Sequence, residues 1–173
     1  MSLFGELEPT IQDKWRSRMF RAYQIAVNSP DPSTQNGAIL INQKGNIVSE
    51  AWNAFPLGVK YTSERWERPL KYKIIEHAER NAIFQAAKYG IKTNDLIMVC
   101  CWAACSDCAR AIIQAGIKTL VTHKQAADMA PDFWKQEVEI AMTMFSEAGV
   151  EVIIYDGKVG GPEIRHSGKI FIP

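Results

Sequence analysis

A chain of 173 residues, 47% apolar and 23% charged, is long enough for one domain with a genuine core and needs no disulfide to hold it. No run of about 18 apolar residues offers a membrane span, and Met1-Ser2-Leu3-Phe4-Gly5-Glu6 lacks the basic start and apolar stretch of a signal peptide. A formal net charge of +1 argues against a strongly basic face for long nucleic acid, though not against a small anionic ligand.

Trp15, Met19, Ala22, Tyr23 and Ala26 are spaced to form one apolar stripe, which predicts a first helix stopped by Asn28-Ser29-Pro30. Two apolar runs, 38–41 and 47–52, flank Asn42-Gln43-Lys44-Gly45-Asn46 and predict a β-hairpin. Residues 53–75 show no period and hold two prolines and a glycine, so one long functional loop is expected there. A helix over 77–89 ends at Gly90, and a strand over 96–101 precedes a helix over 106–115 that ends at Gly116. A strand over 117–121 follows. Pro131 opens another helix, with Trp134, Val138, Ala141 and Phe145 on one face and Gly149 at its end. Residues 150–154 form the last clear strand, and 155–173, with Lys158, Arg165 and Lys169, are an extension without a readable motif. A hairpin followed by alternating helix and strand predicts a single α/β domain over 1–173, with a mixed sheet and helices on both faces.

Four cysteines in a chain with this composition point to metal ligation or core packing in a cytoplasmic protein. Cys100 and Cys101 end an apolar strand and must face opposite ways, which suits two small core residues. His77-Ala78-Glu79 and Cys105-Ser106-Asp107-Cys108 are different. A catalytic zinc usually keeps three protein ligands and an open position for water, and one His with two Cys supplies that number. Cys105 and Cys108 sit three apart at one predicted helix start and His77 at another. Two helix N-termini would then aim their ligands at one metal and favour thiolate over thiol. Glu79, two positions from His77, points elsewhere on the helix and suits a proton shuttle better than a fourth ligand. A closed structural zinc site would want four Cys or His ligands, whereas His123 and His166 are each isolated in the sequence.

The His-x-Glu and Cys-x-x-Cys pair is the signature already known for zinc-dependent nucleobase deaminases, with Ala104 standing where that signature has a proline. Across most of residues 20–121 the chain resembles the deoxycytidylate (dCMP) deaminases of the cytidine deaminase superfamily, and phage-type ones among them. The segments that carry this are 29–38, 51–58, 77–83 and 105–118. The resemblance implies a three-layer α/β/α fold around a mixed five-stranded sheet. It implies zinc on His77, Cys105 and Cys108, and hydrolysis of dCMP to dUMP and ammonia with Glu79 moving the protons. Substrate contacts are implied for Asn53, at the sugar, and for Ser33, Gln35 and Ala78.

Arg65-Trp66-Glu67-Arg68-Pro69 is similar to an element tied in these enzymes to activation by dCTP and inhibition by dTTP. By that resemblance Trp52, Trp66 and Arg68 would serve an effector nucleotide, with Mg2+ accompanying the triphosphate. A hexamer is implied as well, working in the host cytoplasm if the chain is phage-encoded. Three other readings share part of the pattern. A tRNA adenosine deaminase would need a basic surface. A polynucleotide cytidine deaminase would need stacking aromatics, of which Trp102 is one. A non-catalytic zinc module would have no use for Glu79.

Overall fold

The computed structural model describes residues 9–173; the amino-terminal reading of Met1 to Glu6 lies outside the described residues. Helix α1 (Pro9–Ala26) buries Trp15, Met19, Ala22, Tyr23 and Ala26 along its predicted stripe. Strands β1 (Gly37–Ile41) and β2 (Ile47–Trp52) pair antiparallel. The Asn42 carboxamide closes their turn by accepting from the N–H groups of Lys44 and Asn46, both at 3.0 Å. Helix α3 (Ala78–Lys88), β3 (Ile97–Cys100), α4 (Ser106–Gln114), β4 (Thr119–His123), α6 (Asp132–Ala148) and β5 (Glu151–Tyr155) complete the main body, with α2 (Lys71–Ile74) before α3 and α5 (Lys124–Asp128) after β4. Among the described residues no helix is long and apolar enough to cross a membrane.

The five strands run in the order β2-β1-β3-β4-β5, antiparallel across β2, β1 and β3 and parallel across β3, β4 and β5. Side chains alternate between two cores, as the period of a strand requires. Ala38, Leu40, Met98, Cys100 and Leu120 pack with α3, α4 and α6. Ile39, Ile41, Val99, Cys101 and Val121 pack with α1 on the other face. The layers are thus α/β/α, and the two adjacent cysteines part company between them.

Helix α1 lies on β1 without an intervening side chain. A β-carbon on Gly37 would fall 2.1 Å from the Ala22 carbonyl oxygen and 2.7 Å from the Ala26 nitrogen. Both are backbone atoms and cannot swing aside. Gly37→Ala is therefore expected to cost at least about 3 kcal/mol, the upper end for overpacking, and to lower the melting temperature by roughly 10 °C. A melting curve superimposable on that of the parent chain would refute this close approach.

Three sequence expectations change. The strand expected over 117–121 lies at Thr119–His123, because Ile117 still belongs to the helix end, donating its N–H to Ile112 O at 3.2 Å. The loop 53–75 holds a 3-10 turn (Ser63–Trp66) and the single turn of α2, too short for any periodicity to reveal. The extension forms a hairpin of β6 (Ile164–His166) and β7 (Lys169–Phe171), whose three-residue strands carry no pattern of their own.

Candidate active site

His77 and Cys105 are the capping residues at the starts of α3 and α4, both in extended conformation, and Cys108 lies on the first turn of α4. The two helix starts meet. The His77 Nδ1 atom is 3.5 Å from Cys105 Sγ and 3.4 Å from Cys108 Sγ, and all three ligand atoms lie within 4.8 Å of one another. Tetrahedral zinc, with bonds of about 2.0 Å to nitrogen and about 2.3 Å to sulfur, sets such pairs about 3.5 Å apart. The three residues fit that ion, and among the described residues no fourth His, Cys, Asp or Glu joins them.

The two thiols sit in different surroundings. Hydrogen bonding from Cys108, opposed by burial and aided by His77, pushes the Cys105 thiol down to about 4. Burial, followed by the bond to Cys105, pushes the Cys108 thiol well up. A bound dication would favour both as thiolates. Arg80 faces this sulfur: its guanidinium pairs with Glu76, lies 3.5 Å from Cys108 Sγ and reaches Asp107 at 3.9 Å. Arg80→Ala is expected to weaken zinc binding by roughly 10- to 100-fold, the usual effect of losing a group that supports a ligand. Competition with a chromogenic chelator measures it, and undiminished affinity would remove Arg80 from the metal site.

Glu79 sits beside the three ligands at 2% exposure. Burial raises its carboxyl pKa, Cys105 adds to this and His77 opposes it. Its Oε2 accepts from Asn36 Nδ2 at 3.3 Å. From there a chain of bonds leaves the site. Asn36 N–H donates to Asn53 Oδ1 at 2.7 Å, and Asn53 Nδ2 donates to Asp31 Oδ2 at 3.1 Å and to Thr34 O at 2.8 Å. Asp31 Oδ1 accepts from the N–H groups of Ser33 and Thr34, and the carboxylate pairs with buried Lys71 at 2.7 Å. A cavity opens over this chain, bordered by Asn36, Asn53, Lys71, His77, Glu79 and Cys105.

The structure divides the sequence candidates. His77, Glu79, Cys105 and Asn53 border the cavity, although both Asn53 amide hydrogens are engaged in bracing the loop. Gln35 does not reach it: Nε2 donates to Val27 O and Ser29 O, and Oε1 accepts from Arg165 N. Ser33 does not border it either; its N–H donates to Asp31 Oδ1 and its carbonyl accepts from Gly168 N–H. Ala78 is fully buried in the core under α3 and does not border the cavity. None of these three lines the cavity: Gln35 and Ser33 lie in a loop braced by its own backbone, and Ala78 lies on the first turn of α3.

The effector trio separates as well. Trp52 borders a second concavity with Phe55, Tyr61 and Phe84. Trp66 stacks on Phe55 at 4.2 Å. Arg68 instead borders the catalytic cavity, its guanidinium 5.6 Å from the Tyr72 ring, since α2 carries the chain back to the metal. Lys71, Tyr72, Trp134 and Ser167 are among the bordering residues not singled out as site candidates from sequence. Trp134 was readable only as part of an apolar helix face, and its ring lies 5.9 Å from that of His77. Trp102 borders the cavity too and stacks on His166 at 3.7 Å.

Residues 12–124 match the family model described as the cytidine and deoxycytidylate deaminase zinc-binding region. A protein of Aliivibrio fischeri described as an uncharacterized deaminase in the luxG 3' region is 37% identical over 143 residues, covering 80% of this chain and 92% of its own. Human deoxycytidylate deaminase is 33% identical over 135 residues, covering 75% of this chain and 72% of its own. The crystal structure of a cyanophage S-TIM5 dCMP deaminase in complex with dCMP and dUMP shares the fold, with a TM-score of 0.60 at 22% identity over 86% of this chain and 99% of that one. With a histidine and two cysteines placed at two helix starts to hold a metal ion and a buried carboxyl beside them, this chain belongs to the cytidine and deoxycytidylate deaminase zinc-binding family.

Proposed function

We propose that this chain hydrolyses dCMP to dUMP and ammonia, with zinc held by His77, Cys105 and Cys108. The observation that carries the reading is one cavity joining a three-ligand metal set, a buried carboxyl and two cations, Arg68 and Lys71, suited to a phosphate-bearing ring. The relatives named deoxycytidylate deaminase support it.

When bound, the zinc supplies an acidified water, its pKa drawn down toward about 7. Glu79 would take a proton from the attacking water and pass it to N3 of the ring as the water oxygen joins C4. It then moves the second proton to the C4 amine. The C–N bond breaks, ammonia leaves, and C4 keeps the oxygen as a carbonyl. A carboxyl raised by burial can both hold and release protons near neutral pH, as this cycle demands. Asn36 orients it, and the aromatic walls at Trp102 and Trp134 exclude bulk water.

The proposal extends to control by dCTP as activator and dTTP as inhibitor, with Mg2+ accompanying the triphosphate. We place these effectors at the concavity beside Trp52, which Trp66 supports through Phe55. A homo-hexamer acting on free nucleotide in the cytoplasm, the host's if the gene is a phage's, completes the reading. Ammonia release from dCMP, deoxycytidine, dCTP and a tRNA anticodon stem, each with and without effector and Mg2+, tests it, alongside sedimentation of the assembly. We expect dCMP to be the preferred substrate. Preferential turnover of the tRNA stem or of dCTP would overturn the substrate.

A further inference from the structure

The hairpin of β6 and β7 lies beyond residues 12–124, the part that matches the family, yet it closes one wall of the catalytic cavity. Gln35 N–H donates to Arg165 O and Gly168 N–H to Ser33 O, both at 2.8 Å. Ser167 N–H donates to Thr34 Oγ1 and Arg165 Nε to Asp31 O, both at 3.1 Å. These bonds make the hairpin and the Asp31 loop one body. His166, fully buried on the hairpin, carries Trp102 on its ring face, and Trp102 is itself part of the cavity wall.

Ser167 borders the cavity from the hairpin turn. Its φ of 51° is in the left-handed region, where Asn or Gly is the usual occupant of a two-residue hairpin turn. A serine kept there at a conformational cost points to a use for its side chain. Its neighbours on the wall share one chemistry. Thr34 contributes a hydroxyl, and the Lys71 ammonium engages both Asp31 oxygens, at 2.7 and 2.8 Å, leaving one of its three N–H donors for a ligand.

The hydrogen-bonded chain gives this wall a direction. It starts at Glu79, passes Asn36 and Asn53, and ends at Asp31, Thr34, Lys71 and Ser167. A nucleotide with its reacting ring at Glu79 lays its sugar past Asn53. Its phosphate then arrives at the far end, among two hydroxyls and an ammonium.

We propose that the C-terminal hairpin is a working wall of the active site, in which Ser167, with Thr34 and Lys71, holds the phosphate of a pyrimidine nucleotide. The assignment rests on the reading of dCMP as substrate. Calorimetric titration of dCMP and of deoxycytidine into the zinc-loaded Glu79→Ala chain, with and without Ser167→Gly, tests it. Glycine suits the positive φ, so the turn is kept and only the hydroxyl is lost. The Ser167→Gly change is expected to weaken dCMP roughly tenfold, the worth of one hydrogen bond to a charged group. It should leave deoxycytidine, zinc content and melting temperature unchanged. Unchanged dCMP affinity overturns the proposal alone, as does an equal loss for both ligands. If the Glu79→Ala chain binds neither ligand, the substrate reading fails and this assignment falls with it.

Discussion

Glu79→Ala is expected to lower ammonia release from dCMP by about 10³-fold or more, the span of a positioned acid–base group, while the chain keeps its zinc. Both halves follow from geometry. The carboxyl is not one of the three ligand groups, so its loss leaves His77, Cys105 and Cys108 in place. We propose it as the buried proton carrier beside them, bonded to Asn36, and among the described residues no other carboxylate borders the cavity except Asp31, which is paired with Lys71. Zinc content by chelator release and turnover by ammonia assay should therefore move independently. Activity within tenfold of the parent would remove Glu79 from the mechanism, and loss of metal would make it part of the ligand set instead.

Cys108→Ala is expected to do the reverse at the metal and worse for the protein. Its sulfur is fully buried at the junction of α3 and α4, 3.4 Å from His77 Nδ1. With one ligand of three removed, zinc affinity should fall by more than the roughly 100-fold typical of losing a supporting group. Because metal binding adds directly to folding free energy, the melting temperature should fall as well. Chelator should lower the melting temperature of the parent chain and leave that of Cys108→Ala nearly unmoved. A variant that retained stoichiometric zinc would refute the proposed centre.

The two variants also mark how the site is built. Glu79 and the metal ligands come from short motifs at the starts of α3 and α4, and both motifs were legible because helix geometry relates residues a few positions apart. The paired strands were legible for the same reason, since period-two alternation is local. Cys100 and Cys101 were placed on opposite faces by that alternation alone, and they pack into the two different cores.

Other parts of the site depend on contacts that local periodicity does not express. Lys71 meets Asp31 across forty positions of chain, and Arg165 braces Gln35 across 130. Gln35 looked like a substrate ligand in a polar loop, but Val27, Ser29 and Arg165 take up its amide. Arg68 looked like a partner of Trp66, but the turn into α2 delivers it to the catalytic cavity. The short hairpin at the carboxyl end carried no motif because its strands are too brief to show a period; its register with the Asp31 loop comes from backbone hydrogen bonds.

By itself the sequence determined the longer helices, the mixed sheet and the grouping of His77, Cys105 and Cys108 with a neighbouring carboxyl, because each is encoded in spacings within a turn or a strand. Only the tertiary structure decided which polar side chains border the cavity and which merely brace its wall. That choice depends on where α2 and the C-terminal hairpin pack, a matter of long-range contact that composition and periodicity do not carry.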